Sequence, residues 1–167
     1  MNFNTFFIGN AIALLGSFVM IGIGFLKKKE HILIGQCFQC GLIGISQLIL
    51  GGITGFITNS FTILRNLLSF KIPFTKPVKI VFILIQIVLA LNFDSITLIN
   101  MLPIIATAIF TWYMDSKDPI QFKIVVIGTL LLWLIYDFSI SNYVAFFFDC
   151  VSTCTNSYTF YKMKKSF

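Results

Sequence analysis

The chain has 167 residues, of which 57% are hydrophobic and only 11% charged, with 20 phenylalanines and a formal net charge of +6. Soluble domains carry about 25% charged residues, so an ordinary soluble enzyme is excluded, and so apolar a composition is incompatible with disorder. A mean hydropathy of +0.94 points to a polytopic membrane protein built of α-helices.

The first apolar run, Phe3–Leu26, has no lysine or arginine before it and Lys27-Lys28-Lys29 after it. A cleavable signal peptide has the reverse order and a shorter core, so a permanent helix with its N-terminus outside is expected. The second apolar segment is Ile32–Leu50, and Gly51-Gly52 turns the chain into the third, Ile53–Phe70. The polar link Lys71 to Pro77 contains Pro73 and Pro77 and stops a helix. The fourth segment is Val78–Leu91. After Asn92-Phe93-Asp94-Ser95 comes the fifth, Ile96–Met114, and Asp115 to Pro119 forms the next turn. Phe122–Phe138 is the sixth segment and Tyr143–Tyr161 the seventh, closed by Lys162, Lys164 and Lys165.

Seven crossings that begin outside place loops 27–31, 71–79, 115–123 and 162–167 inside, and these hold every lysine. The outside loops near 51–52, 92–95 and 139–142 hold no basic residue. That is a positive-inside pattern. The predicted fold class is therefore an all-α polytopic membrane protein with seven transmembrane helices, N-out and C-in, with the lipid bilayer as its first partner. The basic charge reads as loop bias rather than a nucleic-acid footprint, since no basic face carries interleaved aromatics. No nucleic-acid partner is expected.

An internal repeat is also expected. When Asn2-Phe3-Asn4-Thr5 is laid on Asn92-Phe93-Asp94-Ser95, the sparse polar positions coincide without a gap: Asn10 on Asn100, Ser17 on Thr107, Lys27 on Lys117, Asn59 on Asp149, Thr62 on Ser152 and Asn66 on Asn156. The implied organisation is 3+1+3: a first three-helix bundle over 1–71, a linker with helix 4 over 72–95, and a second bundle over 96–167. An odd helix between the units makes the repeats parallel.

The third segment carries Asn59, Thr62, Arg65 and Asn66, and the seventh carries Asp149, Ser152, Thr153 and Asn156. Polar groups facing lipid are costly, so both stripes should face protein or a wet cavity. Asn59, Asn66, Asp149 and Asn156 are candidate substrate-binding residues, or alternatively interhelical glue. Arg65, the sole arginine, either pairs with Asp149, snorkels to the headgroups, or serves an anion-facing or structural role. Asp137 reads as a solvated helix end, with a proton relay as the alternative. Pro103 removes a backbone hydrogen bond within the fifth segment, and its kink is a candidate gating hinge or a packing feature. Gln36, Gln39 and Gln47 are read as inward packing, with a site role as the alternative. Trp112, Tyr113, Tyr158 and Tyr161 read as interfacial anchors.

Cys37 with Cys40, and Cys150 with Cys154, have spacings that suggest zinc in a soluble loop. Inside apolar helices cysteine is a small apolar residue, so no metal and no cofactor is expected. His31 sits alone beside the lysine cluster. With no Gly-rich phosphate loop, nucleophile elbow or paired carboxylates on one helix, no enzyme is expected.

Several of these pieces together resemble the YgjV family of bacterial inner-membrane proteins. They are Leu102-Pro103-Ile104-Ile105-Ala106-Thr107 with Thr111-Trp112, the run Trp133-Leu134-Ile135-Tyr136-Asp137-Phe138, Arg65 with its neighbouring asparagines, and Asn156. The chain departs from that pattern at Asp149 and in its lysine-rich tail. The resemblance implies a multi-pass protein of the bacterial inner membrane. The expected topology is also similar to PnuC vitamin transporters and SWEET sugar transporters, a likeness of fold only.

The expected function is a transporter or facilitator of a small polar solute, vitamin-, nucleoside- or sugar-like, working by alternating access at the seam between two three-helix bundles. The alternative is a non-transporting membrane protein that binds or regulates another membrane component. A homodimer is an allowed assembly for so short a chain.

Overall fold

The computed structural model describes residues 3–23, 29–95, 97–116 and 118–165. Asn2, Lys27, Lys28 and Lys117, on which parts of the repeat and the charge pattern rest, lie outside the described residues. Among the described residues there are seven helices: α1 (Phe3–Ile23), α2 (Lys29–Ile49), α3 (Ile53–Leu68), α4 (Lys76–Phe93), α5 (Leu98–Tyr113), α6 (Pro119–Ser139) and α7 (Tyr143–Lys165). Each falls on one apolar segment of the sequence.

Only three of these helices are long and apolar enough to cross a membrane: Phe3–Ile23, Lys76–Phe93 and Ile120–Ser139. This overturns the expectation of seven transmembrane helices in a 3+1+3 arrangement of two parallel repeats. A crossing of about 30 Å needs ~20 mainly apolar residues. Helices α3 and α5 have 16 residues each, which gives about 24 Å. The apolar part of α2, Leu33–Ile49, is also short. Helix α7 has 23 residues, but Asp149, Ser152, Thr153, Thr155 and Asn156 and its lysine tail dilute its hydropathy. The N-out, C-in orientation was argued from seven crossings and loses that support.

Helix ends follow local chemistry. Pro77 and Pro119 open α4 and α6, where a missing N–H costs nothing. The hydroxyl of Thr97 accepts from Asn100 N, and Asp118 accepts from Ile120 N, each capping its helix. Gly51 takes the left-handed φ of +88° that closes the α2–α3 turn. Ser141 takes φ 62° at the α6–α7 turn, a conformation that favours glycine.

Helix α1 packs on α2, α2 on α3, α5 on α6 and α6 on α7; α1 also meets α7, α3 meets α5, and α4 lies against α3 and α5. The buried stripe of α1 is Gly9, Asn10, Ala13, Gly16 and Ser17. Small residues let the backbones approach: a Cβ on Gly9 would lie 2.6 Å from Leu50 Cγ. Asn10 ties α1 to the α6–α7 turn, donating to Ser141 O at 3.1 Å and accepting from Val144 N at 3.1 Å. Asp94 accepts from Thr54 N at 3.1 Å and Thr54 Oγ1 at 2.6 Å, so the α4–α5 connection caps α3. Buried Lys79 of α4 donates to Trp112 O at 2.8 Å and pairs with Asp115 at the far end of α5. That hydrogen bond from Lys79 holds the Asp115 carboxyl below its ordinary range.

Candidate functional site

A cavity of about 220 Å³ lies among these helices. Helix α2 contributes Gln36, Gln39, Cys40 and Ile43, and α3 contributes Asn59, Thr62 and Arg65. Ala106, Thr107 and Phe110 of α5 line it too, as do Trp133 and Asp137 of α6 and Phe148 and Asp149 of α7. The apolar majority gives shape, and the few polar groups give orientation, as in small-molecule sites generally.

One end is closed by a buried hydrogen-bond network centred on Gln47. Its Nε2 donates to Asp137 Oδ1 at 2.9 Å, and its Oε1 accepts from Asn59 Nδ2 at 2.9 Å. Asn142 Nδ2 donates to the same Asp137 oxygen at 3.1 Å. Beside them Gly55 N donates to the Tyr136 hydroxyl at 2.9 Å. Tyr136, Gln47 and Asn142 have no exposed surface, and Asp137 is 2% exposed. Four helices or their ends, α2, α3, α6 and α7, are thus joined by side chains that bond one another.

Toward the other end stands Arg65, 3% exposed. Its Nε and Nη2 donate to Asn66 Oδ1 at 3.3 and 3.2 Å, and its Nη1 donates to Thr111 Oγ1 at 3.3 Å. The guanidinium carbon lies 5.0 Å from the Phe110 ring centroid, a cation–π distance. Asn66 in turn donates to Gln36 Oε1 at 3.1 Å. Arg65 therefore neither pairs with Asp149 nor snorkels outward; it stitches α3 to α5.

The structure brings Asn59, Arg65 and Asp149 to the cavity wall. Asn66 supports Arg65 from behind. Asn156 is elsewhere, accepting from Lys123 Nζ at 2.8 Å and donating to Ser152 O at 2.7 Å, and does not line the cavity. Pro103 is buried within α5, outside the lining, a turn before Ala106 and Thr107. Sequence reasoning placed Asp137 at a solvated helix end, and it is buried in the closing network. The missed signal was Asn142 just past the turn, a side chain able to fold back on that carboxylate. Gln36 and Gln39 line the cavity, and no periodicity distinguished them from packing residues. Among the described residues no cluster of three or more His, Cys, Asp or Glu is placed to hold a metal, and all four cysteines are free.

Residues 7–166 match the Imp-YgjV family, described as bacterial inner membrane protein. The chain belongs to the YgjV family. This membership covers almost the whole chain and sets it in the bacterial inner membrane as a multi-pass helical protein. No curated protein and no solved structure matches it significantly. The apolar exterior of this YgjV-family chain fits that location: Phe7, Leu15, Phe18, Val81, Leu84 and Val88 on α1 and α4 are all exposed.

Proposed function

We propose that the chain is an inner-membrane carrier or facilitator that holds a small polar solute in the cavity among α1, α2, α3, α5, α6 and α7. The observation that carries this reading is the cavity itself: an Arg, two Asp and several amides face an interior space in a membrane protein. Polar and ionisable groups are expensive there and mark solute paths by default. At about 220 Å³ the space is below the ~300–1,000 Å³ of pockets for drug-sized ligands, so the solute is small. Passage requires the closed end to part, which means exchanging the Gln47–Asp137–Asn142 bonds for bonds to water or solute.

The test is a thermal-unfolding screen of purified protein against vitamins, nucleosides, sugars and amino acids, followed by uptake into proteoliposomes. A solute at about 100 times its Kd stabilises the native state by ~2.7 kcal/mol. Gln39→Trp fills the cavity without removing a hydrogen bond present among the described residues, and should abolish the shift and the uptake. A folded protein that no solute class stabilises and that passes none would refute the reading.

A further inference from the structure

The small-solute reading leaves the charge of the solute open, and the three charged side chains on the wall differ in what they have left to offer. Arg65 is committed to Asn66, Thr111 and the Phe110 ring. Asp137 is 2% exposed, yet both its hydrogen bonds fall on Oδ1. Its Oδ2 accepts from no donor among the described residues, and the residue lines the cavity. Asp149 also lines the cavity and accepts no hydrogen bond among the described residues. The two carboxylates line the same cavity, and neither forms an ion pair with Arg65 among the described residues.

The Asp137 oxygen without a donor belongs to a residue only 2% exposed and so carries a desolvation cost that a bound cation offsets. The same wall is aromatic. Trp133 lies one turn before Asp137 on α6, and Phe148 is adjacent to Asp149 on α7; both line the cavity. Carboxylates beside aromatic rings are the chemistry that recognises an ammonium group. Arg65 does not cancel it. At about 1.5 Å per residue Arg65 lies ~9 Å along α3 from Asn59, and Asn59 is joined through Gln47 to Asp137 at the closed end.

We propose that the cavity takes a small organic ammonium compound, its ammonium group held by Asp137 and Asp149 against Trp133 and Phe148. This rests on the small-solute reading above. The shared chemistry is the ammonium; it belongs either to a simple amine or to a zwitterion whose carboxylate reaches toward Arg65.

Four probes of similar length separate the terms: aminopentanol, aminopentanoate, hydroxypentanoate and pentanediol. Their binding to full-length protein in lipid nanodiscs is measured by thermal unfolding over a concentration series. One or both ammonium probes should bind about tenfold or more tighter than the anion and the diol, the scale of a desolvated cation–π contact with a carboxylate beside it. Asp149→Asn should remove that preference, while the protein still unfolds cooperatively. Tighter binding of aminopentanoate assigns a zwitterion, and tighter binding of aminopentanol a simple amine. Hydroxypentanoate or pentanediol binding best overturns the ammonium assignment and leaves the cavity reading standing. Binding of no probe, in protein that the broader solute screen does stabilise, overturns the ammonium assignment alone. Silence in both experiments overturns both. An ammonium preference that survives Asp149→Asn and also Asp137→Asn overturns the proposed seat.

Discussion

Helices α3 and α7 carry similar polar stripes and live in different surroundings. On α3, Asn59, Arg65 and Asn66 are 7%, 3% and 1% exposed, and each is bonded to a neighbouring helix. On α7, Ala145 is the buried residue; Thr155 bonds back to its own helix, and Asn156 divides its bonds between its own helix and Lys123 of α6, away from the cavity. Residue spacing says which side chains share a face; it does not say what that face meets. A second distinction matters more for function. The polar groups of α3 have protein partners, whereas Asp149 on α7 has no hydrogen-bond donor among the described residues. Completed bonding marks scaffold, and an incomplete carboxylate on a cavity marks a place for something else.

The sharpest way to break this comparison is at the hub that holds α3 in place. Gln47→Leu removes the donor to Asp137 and the acceptor for Asn59 together. Two buried groups are left short, one of them a carboxylate, and the expected loss is about 3 kcal/mol in detergent unfolding. Thr155→Ala on exposed α7 should stay within ~0.5 kcal/mol. Equal losses at the two sites would erase the distinction between the helices.

A glycine pair gives the next effect. A Cβ on Gly55 would lie 2.5 Å from Gln47 Oε1 and 2.6 Å from Tyr136 Cε1. Gly55→Ala should therefore cost ~1–3 kcal/mol through overpacking. On α6, Gly128 has nothing within 4 Å of its added Cβ. There the same change should gain roughly 0.5–1 kcal/mol, because glycine in a helix interior is less favourable than alanine. Opposite shifts in Tm from one chemical change would locate the tight α2–α3–α6 contact.

Much of the secondary structure was legible because apolar runs and their breakers are local. Pro77, Pro119 and Gly51-Gly52 stand where helices start or turn. The number of membrane crossings was not, because apolar length was read without asking how much of each run is spent on internal polar contacts. Helix α3 buries Thr54, Thr58, Asn59, Arg65 and Asn66 within 16 residues, and α7 loses its apolar continuity to a comparable set. Asn59, Arg65 and Asp149, which line the cavity, stand out in the sequence because charge and amides inside apolar runs are rare. The burial of Asp137 was not legible, and the inward packing read for Gln47 did not name its partners, since both depend on a contact between α2 and α6 that no local pattern encodes.

A smaller effect sharpens the far end of the molecule. The Asp115 carboxyl is depressed by its hydrogen bond from Lys79, so its folded pKa lies below the unfolded one. Its contribution is then fully present above the unfolded value of about 3.9 and is lost as pH falls through the folded value. Asp115 is largely exposed, 64% at the side chain, so the step is no more than ~1 kcal/mol. Asp115→Asn should remove that step from a Tm-against-pH profile: the variant matches the parent where the parent's carboxyl is protonated and lies slightly below it above about pH 4.

The smallest expected effect on stability discriminates best between scaffold and site. Asp149→Asn keeps the side-chain shape, removes no hydrogen bond among the described residues and takes a carboxylate off the cavity wall. Its stability should match the parent within ~0.5 kcal/mol or exceed it. The reciprocal change on α3, Asn59→Asp, does the opposite. Asn59 Nδ2 donates to Gln47 Oε1 and to Gly55 O, and a carboxylate set against those two acceptors has nothing to donate. That variant should lose ~2 kcal/mol or more, since it buries an unsatisfied charge. If Asp149→Asn proved as damaging as Asn59→Asp, Asp149 would be part of the scaffold after all. If it were silent in stability and lost solute binding, the same result would separate the residue's cost in folding from its use in the site.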